Sequence, residues 1–192
     1  MNALSFQTTR SVLYEIGATG KIGQIMADRG YKKIAFLGGN ESISDYHQRL
    51  SGYTEAMTLA EIPFSKKLCV QSDTTRNGGR SAMSEALIQS PDLQAVVCFS
   101  DVVAYGAIEQ IRATGKQPGS DIAVIGFDDL IVGRACRPQL TTMHYPVEEM
   151  ASYATNLAIK LSDIGNKPNS QTHLFLANLV KRDSVNKLVN AN

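Results

Sequence analysis

The stretch 95–129, AVVCFSDVVAYGAIEQIRATGKQPGSDIAVIGFDD, constrains the fold more than any other part of the chain. Residues 95–99 form a short, valine-rich apolar run. It is too short for a helix and suits a strand buried on both faces. Ser100 or Asp101 supplies a good N-cap for a helix beginning there. Val103, Ala107, Ile108 and Ile111 then recur at helical spacing, and Gly115 stands where a C′ glycine would end the helix. A polar turn, 116–121, leads into a second apolar strand, 122–127. Two such strands joined by one helix make a βαβ unit, with parallel strands and a right-handed crossover.

Each strand of the unit ends in polar residues, Ser100-Asp101 after the first and Asp128-Asp129 after the second. Open parallel sheets bind ligands beyond the carboxyl ends of their strands. The unit therefore sets two groups of hydrogen-bonding side chains on one rim. The residue types alone leave two readings open: these side chains face a ligand, or Ser100 or Asp101 only caps a helix and Asp129 only shapes a turn.

The alternation continues on both sides. Residues 4–14 hold a strand candidate, SVLY. Residues 17–29 read as a helix, with Ile22, Ile25 and Met26 on one side and Gly30 at its stop. Residues 33–37 (KIAFL) read as a buried strand, followed by the loop Gly38-Gly39-Asn40. Ser42 to Asp45 offer caps for a helix whose apolar stripe runs through Leu50, Tyr53, Met57, Leu59 and Ala60. Arg49, near the start of that helix, either reaches the same rim or lies on the surface. Residues 67–70 are a third strand candidate, and 72–77 can cap a helix at 79–89, where Met83, Leu87 and Ile88 are apolar. Beyond the central unit come a short helix or turn at 130–138, a strand at 140–144 and an amphipathic helix at 147–162. That helix turns Met150, Ala151, Ala154, Leu157, Ala158 and Leu161 inward. Residues 165–171 read as a loop and 172–180 as an alternating strand. The class is α/β with a largely parallel sheet.

Composition sets the outer limits. The chain has 192 residues and a net charge of +1. That length suits one domain of ordinary size. Without a basic block, nothing in these residues predicts nucleic-acid binding. No apolar run approaches the ~20 residues of a membrane span, and MNALSFQTTR lacks the apolar core of a secretory signal. A cytoplasmic protein that does not engage membranes is the expectation. Cys69, Cys98 and Cys136 are widely spaced and read as free thiols. There is no Gly-x-Gly-x-x-Gly, no P-loop and no Gly-x-Ser-x-Gly elbow. His47, His144 and His173 lack metal-ligand spacing. Adjacent carboxylates such as Asp128-Asp129 point different ways, which favours a turn with one ligand contact over catalysis. Neither an enzyme nor a metal or other cofactor is expected.

Five segments occur in order along the chain: GYKKIAFLGG, QRLSGYTEAM, the 95–129 stretch, RPQLTTMHYPVEEMA and LVKRDS. Together, over about 11–184, they resemble the lactose/galactose repressor (LacI/GalR) family of bacterial transcription regulators. DIAVIGFDD combined with QLTT and a terminal LVKR is specific, whereas any one piece alone is weak. The resemblance implies a periplasmic-binding-protein-like (type I) sensor with two α/β subdomains, three crossover strands and a small effector in the cleft. In the family the sensor follows a helix-turn-helix and a hinge segment, and effector binding reorients the subdomains and so changes operator affinity. Those N-terminal parts, and most of the N-terminal subdomain, have no counterpart here. The chain is therefore expected to be a piece of a longer repressor that reaches operator DNA only through the missing N-terminal domain. On this pattern 1–13 is a remnant of an N-terminal-subdomain strand and 14–144 the C-terminal effector-binding subdomain. Residues 145–175 are a crossover and an N-terminal-subdomain helix, 176–185 a return strand, and 186–192 a frayed tail.

The resemblance also implies site residues. Arg49, in QRLSGY, takes the family's pocket arginine position, where its fork of donors suits hydroxyls or a carboxylate. Asp128 is the pocket carboxylate that accepts from a sugar diol or a base. Asp45 and Ser100 fall at further polar contact positions. Ser72 or Asp73 stands where many members place an aromatic wall, so ring stacking at that wall is not expected. Val147 lies in the hinge-side lining. A homodimer is expected through the helix 102–112 and the segment 130–136, with Val102, Val103, Tyr105, Ile131 and Val132 as apolar candidates; for the valines, packing into the core is the equal alternative. The effector expected is a sugar or sugar derivative, with a purine as the variant. The competing function is a solute-binding protein of the same fold for sugar uptake.

Overall fold

The computed structural model describes Ile22, Ile25, Met26, residues 28–163, His173 and residues 175–186. The strand candidate at 4–14, the loop at 165–171, the side chain of Leu161 and most of the tail lie outside the described residues. One sheet carries the fold. Its strands are β1 (Ile34–Leu37), β2 (Cys69–Val70), β3 (Ala95–Cys98), β4 (Ala123–Phe127), β5 (Thr141–His144) and β6 (Asn178–Val180). They stand in the order β2-β1-β3-β4-β5-β6. β2 through β5 are parallel, and β6 runs antiparallel to β5. The helices are α1 (Ser44–Leu59), α2 (Arg76–Gln89), α3 (Asp101–Ala113), α4 (Val132–Ala135) and α5 (Val147–Asp163).

The period-2 rule divides the core. Ile34, Phe36, Ala95, Val97, Ala123 and Ile125 face one side, where Tyr46, Tyr53 and Met57 of α1 join them with Ile22, Ile25 and Met26. Ala35, Leu37, Val96, Cys98 and Val124 face the other, against Ala82, Met83 and Ala86 of α2 and Val103, Ala107 and Ile111 of α3. Because both faces are covered, β1, β3 and β4 are continuous apolar runs rather than alternating ones. Removing each such large side chain from water stabilises the fold by about 1.5–3 kcal/mol.

The strand order places the site. α1 leaves β1 for one face, while α3 leaves β3 for the other. The chain thus turns opposite ways at the carboxyl ends of two neighbouring strands, which opens a crevice there.

Several local expectations change. α1 begins at Ser44 with Ile43 at its N-cap and no side-chain cap; Asn40 Oδ1 instead accepts from the Ser42 N–H. Leu59, expected in the stripe, is exposed at the helix end, and Ile88 is exposed on α2. Residues Lys66–Leu68 form a 3₁₀ turn before β2, so that strand is only Cys69–Val70. α2 starts earlier than expected, at Arg76, because Thr75 Oγ1 accepts from the Gly78 N–H and caps it. On α5, Met150, Ala154 and Leu157 are half-buried, whereas Ala151 and Ala158 are exposed rather than inward. The strand expected at 172–180 is confined to Asn178–Val180 among the described residues.

Candidate functional site

Arg49 sits in the second turn of α1 and reaches across the crevice. Its Nη1 donates to the Phe99 carbonyl at the end of β3. The guanidinium carbon lies 4.4 Å from the Phe99 ring centroid and 4.0 Å from that of Phe127. The two rings share one side of the sheet because Val97 pairs with Ile125 and each ring comes two residues later. A cation over aromatic faces is attracted by their quadrupoles, more so when desolvated. Nη2 stands 3.8 Å from Asp45, one turn earlier on α1, and 4.0 Å from Asp128, just past β4. Arg49 Nε is buried and has no hydrogen-bond partner among the described residues.

Burial sets the electrostatics. It lowers the Arg49 pKa, against the pull of Asp128 and then Asp45. It pushes the Asp128 carboxyl up to about 6, with Arg49 opposing and Asp101 adding repulsion. Tyr145 completes the surround: its ring lies 5.9 Å from Phe127, and its hydroxyl pKa is raised by burial and then by Asp128. One guanidinium facing two carboxylates offers donors and acceptors together. A neutral polyhydroxylated molecule, whose hydroxyls do both, matches that set.

Behind the rim lies a brace that sequence reasoning did not resolve. Asp101 is fully buried. It accepts from the Leu130 N–H at 2.8 Å and from Thr142 Oγ1 at 2.6 Å. Its carboxyl is pushed up to about 6 by burial, which these hydrogen bonds offset in part. Gly126 makes room for it, since a Cβ there would stand 2.1 Å from Asp101 Oδ1. Asp129, nearly buried, pairs with Arg182, with Arg134 at 3.5 Å and with His144 at 3.2 Å. Ser184 Oγ donates to the Val124 carbonyl at 2.6 Å and accepts from the Thr141 N–H at 2.7 Å. The LVKRDS segment therefore ties β4 to β5. The signal was present in the co-occurrence of GFDD, QLTT and LVKR, but nothing in the sequence said which side chains meet.

The remaining candidates have no described side-chain contact with Arg49, Asp45 or Asp128. Ser100 is buried as the N-cap of α3, its Oγ accepting from the Val103 N–H at 3.4 Å. Ser72 comes after β2, with its N–H donating to the Gly39 carbonyl and its Oγ to the Asp73 carbonyl, and Asp73 is exposed. Neither makes a described contact with Arg49 or Asp128. Val147 opens α5 and is exposed. Ile131 and Val132 are exposed, and Val102 and Tyr105 are half-buried. Val103 takes the core alternative and is corrected as a dimer candidate: it is wholly buried beneath α3, because the inward stripe of that helix passes through it, and it offers no outer surface. All three cysteines are free thiols. Among the described residues no cluster of His, Cys, Asp or Glu is arranged to hold a metal ion, and no helix is long and apolar enough to cross a membrane.

The model of the periplasmic binding protein-like domain family matches residues 24–185. The transcriptional regulator GalR of Escherichia coli K12 is 37% identical over 161 residues, covering 83% of this chain and 46% of that protein. The regulator CelR of Thermobifida fusca is 31% identical over 144 residues, covering 75% of this chain and 42% of its own length. A solved CelR–cellobiose complex superposes with a TM-score of 0.81 at 29% identity, over 88% of this chain and 51% of the other. The chain spans about half the length of the curated relatives it matches. By the match over 24–185, the chain belongs to the periplasmic binding protein-like domain family, and its relatives there are transcriptional regulators of the LacI/GalR kind.

Proposed function

We propose that this chain is the effector-sensing part of a LacI-type transcriptional repressor, and that its effector is a sugar or sugar derivative. The observation that carries the reading is Arg49, held between Phe99 and Phe127 and facing Asp45 and Asp128 at the strand ends where the chain turns to opposite faces of the sheet. The similar CelR structure is a complex with cellobiose, which supports a sugar here. That the relatives are transcriptional regulators counts against the transport-type alternative. On this reading Arg49, Asp128 and Asp45 hold the effector's hydroxyls. Ser72, Asp73 and Val147 border the cleft, and Ser100 shapes it by fixing the start of α3. Residues 14–144 with 176–185 form the effector-binding subdomain, and 145–175 cross to a second one. Operator DNA is bound by an N-terminal domain outside these residues, in a cytoplasmic homodimer whose contact includes Ile131 and Val132.

A thermal-shift screen against neutral mono- and disaccharides, with purines as the second panel, tests the effector class. A sugar present at about 100 times its Kd adds about 2.7 kcal/mol. For a domain of this size that is a rise in Tm of roughly 5–10 °C. A rise with purines alone would replace the sugar by a base. No rise with either panel would remove the effector reading.

A further inference from the structure

Asp128 and Asp129 are adjacent, yet they face different surroundings. Asp128 turns to Arg49, while Asp129 turns to Arg182, Arg134 and His144. Both hold positive φ, 120° and 54°, although neither is glycine. Such backbone is costly and persists only where its surroundings over-determine it. Here the surroundings do so: the Asp128 N–H donates to the Met143 carbonyl at 3.0 Å, the Asp129 N–H to Thr142 Oγ1 at 3.3 Å and the Leu130 N–H to Asp101. The partners of Asp129 are also placed in a particular way. His144 is the last residue of β5, where the chain leaves the sheet for α5. Arg182 lies just past β6, by which the chain returns, and its Nη1 also donates to the Leu140 carbonyl just before β5, at 2.7 Å.

We propose that Asp129 is a positioning residue that couples the state of Asp128 to the exit and return strands β5 and β6. The inference rests on the reading of Asp128 as an effector contact. A change in charge or contact at Asp128 shifts a strained dipeptide, and Asp129 passes that shift to His144 and Arg182 through its ion pairs. Two carboxylates on consecutive strained residues make this possible, because a change in the backbone of Asp128 is carried to Asp129 through the planar peptide they share. A purely structural ion pair would hold β5 and β6 to the same degree whatever the state of Asp128.

Amide hydrogen exchange in a double-mutant cycle separates the two. The peptides monitored are 141–147 and 175–182, in wild type, Asp128→Asn, Asp129→Asn and the double variant. Asp128→Asn mimics a neutralised carboxylate and needs no effector, so a failed sugar screen leaves this result standing. The expected outcome is that Asp128→Asn alters exchange in these peptides by about two- to tenfold when Asp129 is present, and much less when it is Asn. An equal change in both backgrounds, or no change in either, overturns the proposal. If Asp129→Asn does not fold, His144→Gln removes one half-exposed partner: the effect of Asp128→Asn is then expected to fall in 141–147 and to persist in 175–182, which is reached through Arg182, and an unchanged effect in 141–147 overturns the proposal.

Discussion

At the scale of the residue, Asp101 and Asp128 share one dominant influence, removal from water, which places both carboxyls at about 6. Their folded values lie above the ordinary 3.8, so the native state binds these protons more readily than the unfolded chain does. Each contributes stability that is complete below about pH 4 and is lost as pH rises through about 6. Asp128→Asn should therefore match wild type near pH 4 and exceed it near neutrality, by about 1–3 kcal/mol in urea unfolding. A variant no more stable at neutral pH would show that the Arg49 attraction outweighs burial. Asp101→Ala should cost about 1–3 kcal/mol, because it orphans the Leu130 N–H and the Thr142 hydroxyl. Sequence reasoning located both acids but divided their roles only in part. It read Ser100 or Asp101 as the cap; Ser100 is the cap, and Asp101 is freed to brace the rim. That distinction depends on Thr142 arriving from β5, which no local pattern encodes.

At the scale of the element, close approach between backbones sets the sharpest constraint. A Cβ on Gly106 of α3 would stand 2.0 Å from the Arg76 carbonyl oxygen of α2, and one on Gly126 of β4 would displace Asp101. Gly106→Ala and Gly126→Ala should each lower stability by about 1–3 kcal/mol, through forced shifts in packed backbone or side chains. Ile88→Ser, at a position 78% exposed, should stay within about 0.5 kcal/mol of wild type. Chemical unfolding of the three variants side by side checks the contrast. β1, β3 and β4 were legible because burial on both faces leaves continuous Val, Ile, Ala and Phe runs. α3 was legible for a related reason, its narrow apolar stripe. The outcome differed at α5: its stripe showed a face that packing should cover, but only Met150, Ala154 and Leu157 are partly covered in the described structure. An apolar stripe records that a helix wants a partner and says nothing of where the partner is.

At the scale of the whole molecule, one sheet joins three roles. Its carboxyl edge presents Arg49 and Asp128, its β5–β6 side leads out to α5, and its α3–α4 side exposes Leu130, Ile131 and Val132. A contiguous apolar group of that kind suits association. On the homodimer proposed above, wild type is expected to sediment as a dimer and Ile131→Glu as a monomer with the Arg49 site intact; a monomeric wild type would remove the dimer, and a dimeric variant would place its contact elsewhere. The five segments made the α/β class and its mostly parallel sheet legible, because each carries an apolar strand, an apolar helix stripe or a polar strand end in the order the sheet uses them. The aromatic clasp on Arg49 was the part not foreseen, although Phe99 and Phe127 close neighbouring strands at matched register. The sensor reading stands or falls with Arg49 receiving the effector, and the guanidinium resonances of Arg49 in the ¹⁵N-labelled protein report on that contact. Titration with neutral mono- and disaccharides should move the Arg49 Nε–H signal in a saturable way, and Asp128→Asn should weaken that response at least tenfold. A sugar that binds while Arg49 stays unmoved would show that the effector is held elsewhere.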